Sequence, residues 1–187
     1  MSILTEILQH NEQFVENKEY VPYQTTKFPE KKMVIVTCMD TRLTELLPAA
    51  MNIKNGDVKI IKTAGAVISH PFGSILRSIL VAIYELKAQE VCVIGHHDCG
   101  MAGLNADAFI EKMKDRSIPE ETLSALKYSG IDLNQWLKGF SRVEDAVANS
   151  VEMVKNHPLL PEGILVHGLV IDPKTGKLDV VTQAEAE

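Results

Sequence analysis

The chain has 187 residues, enough for one domain whose core removes roughly 70% of the unfolded surface from water, and short for two. Lys and Arg number 19 against 25 Asp and Glu, a net charge of −6, which argues against nucleic-acid binding because that needs a basic stripe along the phosphates. With 45% hydrophobic and 24% charged residues the chain reads as globular and not disordered, and no apolar run reaches the roughly 18 residues of a membrane span.

The N-terminal stretch Met1-Ser-Ile-Leu-Thr-Glu6 has no basic segment and carries an early acid, so it does not read as a signal peptide and the expected location is cytoplasmic. Residues 2–15 place Ile3, Leu4, Ile7, Leu8 and Phe14 at near-helical spacing, the pattern of an amphipathic helix. Residues 24–31 are polar and contain Pro29, a loop. Four apolar runs of the kind shown by buried parallel strands follow, at 33–37, 58–62, 91–95 and 163–171. Helical patterns separate them: 43–51, 74–86 and a longer region over 102–156. In that region Ser117-x-x-Glu120 and Ser141-x-x-Glu144 have the spacing of capping boxes. A turn at 172–176 into 177–181 predicts an antiparallel edge strand, and the tail from Thr182 to Glu187 reads as solvated.

Alternating strands and helices predict a single α/β domain: a mostly parallel sheet of about four strands plus an antiparallel edge strand, with helices on both faces. There is no linker or repeat, so 1–30 is an N-terminal helix and arm, 32–101 the core of the site, 102–160 a helical region and 163–181 the closing strands. Right-handed crossovers put the loops after the first three strands on one edge of the sheet, where such folds bind ligands.

The chemistry-bearing residues fall on that edge. The first strand runs into Thr37-Cys38-Met39-Asp40-Thr41-Arg42 and the third into Gly95-His96-His97-Asp98-Cys99-Gly100. Two thiolates and an imidazole suit a soft tetrahedral ion, zinc first among them, and three protein ligands leave the fourth position for water, as in catalytic sites. A cysteine at a strand end is more often a small buried hydrophobe. Cys92, inside Val91-Cys-Val-Ile94, has that character and belongs to the core. The clustering of Cys38, His96 and Cys99 favours metal over a Cys38–Cys99 disulfide, which a reducing compartment disfavours. Asp40 beside Arg42 is held as a carboxylate; it could accept a hydrogen bond from a metal-bound hydroxide, take the fourth coordination site, or form only a weak surface ion pair. His97 could be an outer hydrogen-bond donor, a proton carrier or polar surface.

Other sites fail on spacing. A Cys-x5-Arg phosphatase loop from Cys38 meets Thr44 where Arg is required. No Gly-x-Gly-x-x-Gly follows a strand and no Gly-x-Ser-x-Gly elbow is present. Thr63-Ala-Gly-Ala66 alone is a weak phosphate signal.

The pair Cys38-x-Asp40-x-Arg42 and Gly95-His96-x-x-Cys99-Gly100, its first cysteine and histidine 58 residues apart, resembles the beta-class carbonic anhydrases, in their compact prokaryotic and archaeal branch. The resemblance covers about 32–101 closely, including Ala64-Gly65 to Gly73 and Ile75-Leu-Arg-Ser-Ile79. It implies one zinc per chain on Cys38, His96 and Cys99, a zinc-bound hydroxide oriented by Asp40 with Arg42 fixing Asp40, and substrate held near Gly65, Ala66 and Gly100. It also implies reversible hydration of carbon dioxide to bicarbonate and a proton that leaves by His97, His70 or buffer, and a homodimer or larger homo-oligomer. In a closed form of some members the aspartate is a fourth ligand; here an open zinc is expected. Lys62-Thr63 stands where the family often has Arg-Asn, and Ile35 where one subgroup has the tryptophan of a bicarbonate regulatory pocket, so no such pocket is expected. Two alternatives share the motifs: a hydrolase of carbonyl sulfide or carbon disulfide, and a zinc-stabilised binding domain, which would not need Asp40 or Arg42.

Overall fold

A computed structural model describes residues 2–185. The apolar runs form strands β1 (Met33–Cys38), β2 (Val58–Thr63), β3 (Glu90–His96), β4 (Leu165–Ile171) and β5 (Leu178–Thr182), in one sheet of order β2-β1-β3-β4-β5. The first four are parallel and β5 runs antiparallel at the edge, as the alternation predicts. The helices are α1 (Ile3–Glu16), α2 (Leu43–Ala50), α3 (Ser74–Tyr84), α4 (Ala106–Asp115), α5 (Glu120–Tyr128), α6 (Leu133–Trp136) and α7 (Val143–Lys155).

Each face of the sheet is covered by helices with a matching apolar stripe. In α3 the buried residues are Leu76, Ile79, Ala82 and Ile83, and in α7 Val143, Val147, Val151 and Val154, both at helical spacing. They meet Val34, Val36, Val91 and Val93 of β1 and β3. Leu43 and Leu47 of α2 pack on the opposite face against Ile35, Cys92 and Ile94. Each fully buried aliphatic side chain of this kind contributes about 1.5–3 kcal/mol by leaving water. Cys92 sits in this second layer, 2% exposed, as expected for a core cysteine.

Two glycines set the distance of α7 from the sheet. A Cβ on Gly95 would lie 2.6 Å from a Val143 methyl, and one on Gly168 would lie 2.8 Å from Val147 and 3.0 Å from Val151. Their lack of a side chain lets the helix lie directly on β3 and β4.

The region 102–156 is four separate helices, and neither expected capping box forms. Ser117 adopts a left-handed φ of +69° and its N–H closes α4 on the Lys114 carbonyl. The helix α5 therefore starts only after Pro119, without a side-chain cap, and Glu120 pairs with Lys114 at 2.8 Å. Near Ser141, Phe140 is tied by backbone bonds to Met101 and Gly103, which delays α7 until after Arg142. The tail expectation also needs correction: Thr182 ends β5, and Ala184 N–H donates to His167 Nδ1 at 3.2 Å. Ala186 and Glu187 lie outside the described residues.

The periodicity of α1 is as expected and Ser2 caps it, yet none of its residues is buried. Ile3, Leu4, Ile7 and Leu8 are 54–77% exposed, because the helix lies against neither face of the sheet. No described helix is long and apolar enough to cross a membrane.

Gly168→Ala is expected to cost about 1–3 kcal/mol by overpacking against α7, seen as a lower midpoint of chemical denaturation; an unchanged midpoint would mean that α7 can lift from the sheet without loss.

Candidate metal centre

The site is built where β1 and β3 lie side by side. Their parallel register pairs Met33 with Glu90 through Thr37 with Ile94, and the buried Thr37 hydroxyl donates to the Ile94 carbonyl at 3.0 Å. The next residue on β1 is Cys38, and β3 ends at His96. The loop that follows β3 turns sharply through Asp98, whose φ is +54°, a left-handed conformation that aspartate tolerates better than most residues. That turn returns Cys99 toward β1, and the Cys38 and Cys99 sulfurs stand 3.9 Å apart.

Cys38 Sγ, Cys99 Sγ and a ring nitrogen of His96 lie within 4.8 Å of one another, all three residues buried. Two sulfurs bound at the usual ~2.3 Å to one tetrahedral zinc would be about 3.8 Å apart. His96 Nδ1 faces the His97 carbonyl at 2.8 Å, so that nitrogen carries the proton and Nε2 offers a lone pair. Nε2 is buried and has no hydrogen-bond partner, a costly condition that a cation would relieve. Donor type, spacing and this orphaned nitrogen all fit zinc. Both cysteines are free thiols, and the expected triad is brought together.

Electrostatics separate the three cysteines. Burial pushes the Cys38 thiol up, but the adjacent His96 imidazole and the N–H groups of Asp40 and Gly65 outweigh it, lowering its pKa to about 7. The Gly65 N–H lies 3.3 Å from the sulfur. Cys99 is pushed up to about 11, burial and the Cys38 sulfur outweighing one N–H from Met101. Cys92, in the core beside Glu90, is pushed up to about 12 by burial. The Cys38 sulfur in turn raises the His96 pKa. A bound dication would let both ligand thiols ionise together.

Asp40 faces this cluster, with Oδ2 3.7 Å from His96 Nε2. Arg42 grips it through three bonds: backbone N–H to Oδ1 at 2.9 Å, Nε to Oδ1 at 3.0 Å and Nη2 to Oδ2 at 2.8 Å. These bonds hold the Asp40 carboxyl at about 2, well below the usual carboxylate range. The same guanidinium reaches the other loop, where Nη1 donates to Asp98 Oδ2 at 2.8 Å and Nη2 to the Asp98 carbonyl at 2.9 Å.

Gly65 lies in a 3-10 turn, Ala64–Ala66, at φ +70°. A Cβ there would meet Phe140 at 2.9 Å and Met101 at 3.0 Å, so glycine is required both by conformation and by the close cover. Ala66 is buried among the aliphatic residues under α3, and Gly100 is exposed. His97 is exposed, its N–H bonded to the Ile171 carbonyl, and the exposed His70 accepts from Phe72 N–H.

Sequence reading passes over three contributors: Asp98, Met101 and Phe140. Asp98 had a signal, a second acid beside a ligand histidine facing a lone arginine. Phe140 had none, since its approach to Gly65 depends on how the segment after α6 folds back onto residues 101–103.

A family model for carbonic anhydrase matches residues 33–178. The chain belongs to the beta-carbonic anhydrase family. A Bacillus subtilis (strain 168) protein named "Putative carbonic anhydrase YvdA" is 65% identical over 181 residues, covering 97% of this chain and 92% of its own. The solved beta-carbonic anhydrase isoform I of Trichomonas vaginalis aligns with a TM-score of 0.88 at 36% identity, over 99% of this chain and 100% of that one. A carbon disulfide hydrolase of Acidithiobacillus thiooxidans is 27% identical over 161 residues, 79% of this chain and 76% of its own. Among the described residues, the group arranged to hold a metal is the Cys38, His96 and Cys99 set, in the part of the chain that the carbonic anhydrase family model covers.

Cys38→Ser and Cys99→Ser are each expected to lose bound zinc, measured as metal per chain after dialysis, and Cys92→Ser to keep it. Metal retained in either of the first two would remove that residue from the ligand set.

Proposed function

We propose that this beta-carbonic anhydrase family member catalyses the reversible hydration of carbon dioxide to bicarbonate and a proton, with one zinc held by Cys38, His96 and Cys99. Bound zinc supplies hydroxide at neutral pH by lowering the pKa of water to about 7. The observation that carries the reading is Asp40, an ionised carboxylate clamped by Arg42 with one oxygen 3.7 Å from the free His96 nitrogen. A binding domain has no use for it.

An ionised Asp40 can only accept hydrogen bonds. It takes one from the nucleophile, which turns the nucleophile's lone pair away from the carboxylate and toward the carbon of the substrate. Arg42 keeps Asp40 ionised and oriented, so the carboxylate is spent on direction and not on proton removal. Gly65, in the turn beneath Phe140, and Gly100 on the β3 loop are assigned to substrate by the family resemblance, while Ala66 is buried in the aliphatic core and supports the turn from behind. A small neutral substrate needs no charged clamp, and with Thr63 in place of an amide side chain the backbone of this turn is the assigned contact. Carbon disulfide and carbonyl sulfide would enter the same site; the relative named carbon disulfide hydrolase makes them the second reading.

A homodimer is part of the proposal. The apolar stripe of α1, exposed over Ile3, Leu4, Ile7 and Leu8, is the kind of face that a second copy covers.

Stopped-flow hydration of carbon dioxide by the zinc-loaded protein at pH 8 is expected to exceed buffer by orders of magnitude, with slower turnover of carbonyl sulfide and carbon disulfide. Asp40→Ala is expected to keep zinc and lose at least about 100-fold in kcat. A full complement of zinc without a rate above buffer would falsify the hydration reading. Sedimentation is expected to show at least a dimer, reduced toward monomer by Leu4→Glu with Ile7→Glu; a monomeric parent protein rules out the oligomer.

A further inference from the structure

We infer that Asp98 is a positioning residue, which anchors the Arg42 guanidinium from the loop after β3 and so fixes the Asp40 carboxylate beside the metal ligands. Its catalytic meaning rests on the carbonic anhydrase reading above.

Asp40 and Arg42 are two residues apart on a single loop, and a pair this local can swing as a unit. The bidentate grip fixes Asp40 against Arg42, but it does not by itself fix the pair against the rest of the site. Asp98 changes the geometry because it comes from the other ligand-bearing loop, 56 residues away. A guanidinium has five N–H donors in a rigid plane. Here Nε and one Nη2 proton go to Asp40, and Nη1 and the other Nη2 proton go to the side chain and carbonyl of Asp98. The plane is pinned on both edges, and its tilt sets where the two Asp40 oxygens stand.

Packing does not account for Asp98. Its side chain is 75% exposed and buries almost nothing. It also holds a left-handed φ of +54°, a conformation most side chains avoid. What the side chain adds at this position is its bond to Arg42. The placement matters because Asp40 Oδ2 is already only 3.7 Å from His96 Nε2. With Arg42 released from one edge, a small rotation of the pair carries the carboxylate into the place of the nucleophile it should orient.

Removal of the side chain calls for Asp98→Gly, since glycine adopts positive φ without strain, and Asp98→Asn is the conservative partner, its amide oxygen still able to accept from Nη1. In the full-length zinc-loaded protein both variants are expected to keep their metal. Asp98→Gly is expected to lose about tenfold in kcat/KM for carbon dioxide, in the range seen for outer-shell partners of metal sites, and Asp98→Asn to recover most of it. In an Arg42→Ala background the further change Asp98→Gly is expected to cost nothing more, because the effect runs through Arg42. Multiplying losses in the double variant, or an unchanged rate in Asp98→Gly, overturns the inference. A zinc-loaded parent protein without turnover sinks the functional reading alone. The visible bands of the Co(II)-substituted protein then decide the role of Asp98. A band shift in Asp98→Gly that disappears when Asp40→Ala is also present supports positioning, and an unmoved spectrum overturns it.

Discussion

Parallel pairing of β1 with β3 is the contact on which everything functional rests. These strands are separated in sequence by a strand and two helices, yet their register leaves Cys38 and His96 at the same sheet edge. Parallel strands need such crossovers, and right-handed crossovers place every carboxyl end on one side. The Thr37 hydroxyl bond to the Ile94 carbonyl secures the pairing one residue before the candidate metal donors begin. Slipping that register by one residue would point Cys38 into the other face of the sheet and dissolve the cluster.

Once the strands deliver these side chains, burial leaves a cluster of donors that a cation would satisfy. Two thiols and an imidazole nitrogen without a partner are enclosed within 4.8 Å of one another. Backbone N–H groups and the adjacent imidazole support one thiolate, at Cys38, while the Cys99 thiol is pushed up to about 11. A core would hardly keep three such groups together for packing alone, since apolar residues of equal volume cost less to bury. Arg42 applies the complementary logic at the rim, where it keeps Asp40 ionised, held at about 2, and joins the two loops through Asp98. The site therefore has a soft-donor floor and a charged, solvent-facing wall.

Helical packing divides into parts that serve the sheet and parts that do not. Gly95 and Gly168 admit α7 close enough for Val143, Val147 and Val151 to complete one core layer. Phe140, just before that helix, then reaches Gly65 and roofs the turn next to Cys38. By contrast α1 leaves Ile3, Leu4, Ile7 and Leu8 of its apolar stripe exposed among the described residues, with Phe14 alone turned toward Tyr23. Periodicity shows that a helix has a face to bury, not which surface buries it, so its amphipathic pattern was readable while its partner was not.

Residue type and spacing were enough for the strand–helix alternation, the parallel sheet with its antiparallel edge and the core character of Cys92, and they marked Cys38, His96 and Cys99 as candidate metal donors with Asp40 and Arg42 beside them. These were legible because strand ends, apolar runs and metal donors are local signals. The sequence misled where a local signal competes with a tertiary tie: Ser117 and Ser141 have capping spacing, but one closes α4 and the other follows a segment pinned to Met101. Only the tertiary structure decided that Asp98 completes the grip on Arg42, that Phe140 covers Gly65, and that α1 stands apart. The first two join residues 56 and 75 apart in the chain, the third turns on which surface a helix meets, and such placements are set by how layers pack, which no local pattern encodes.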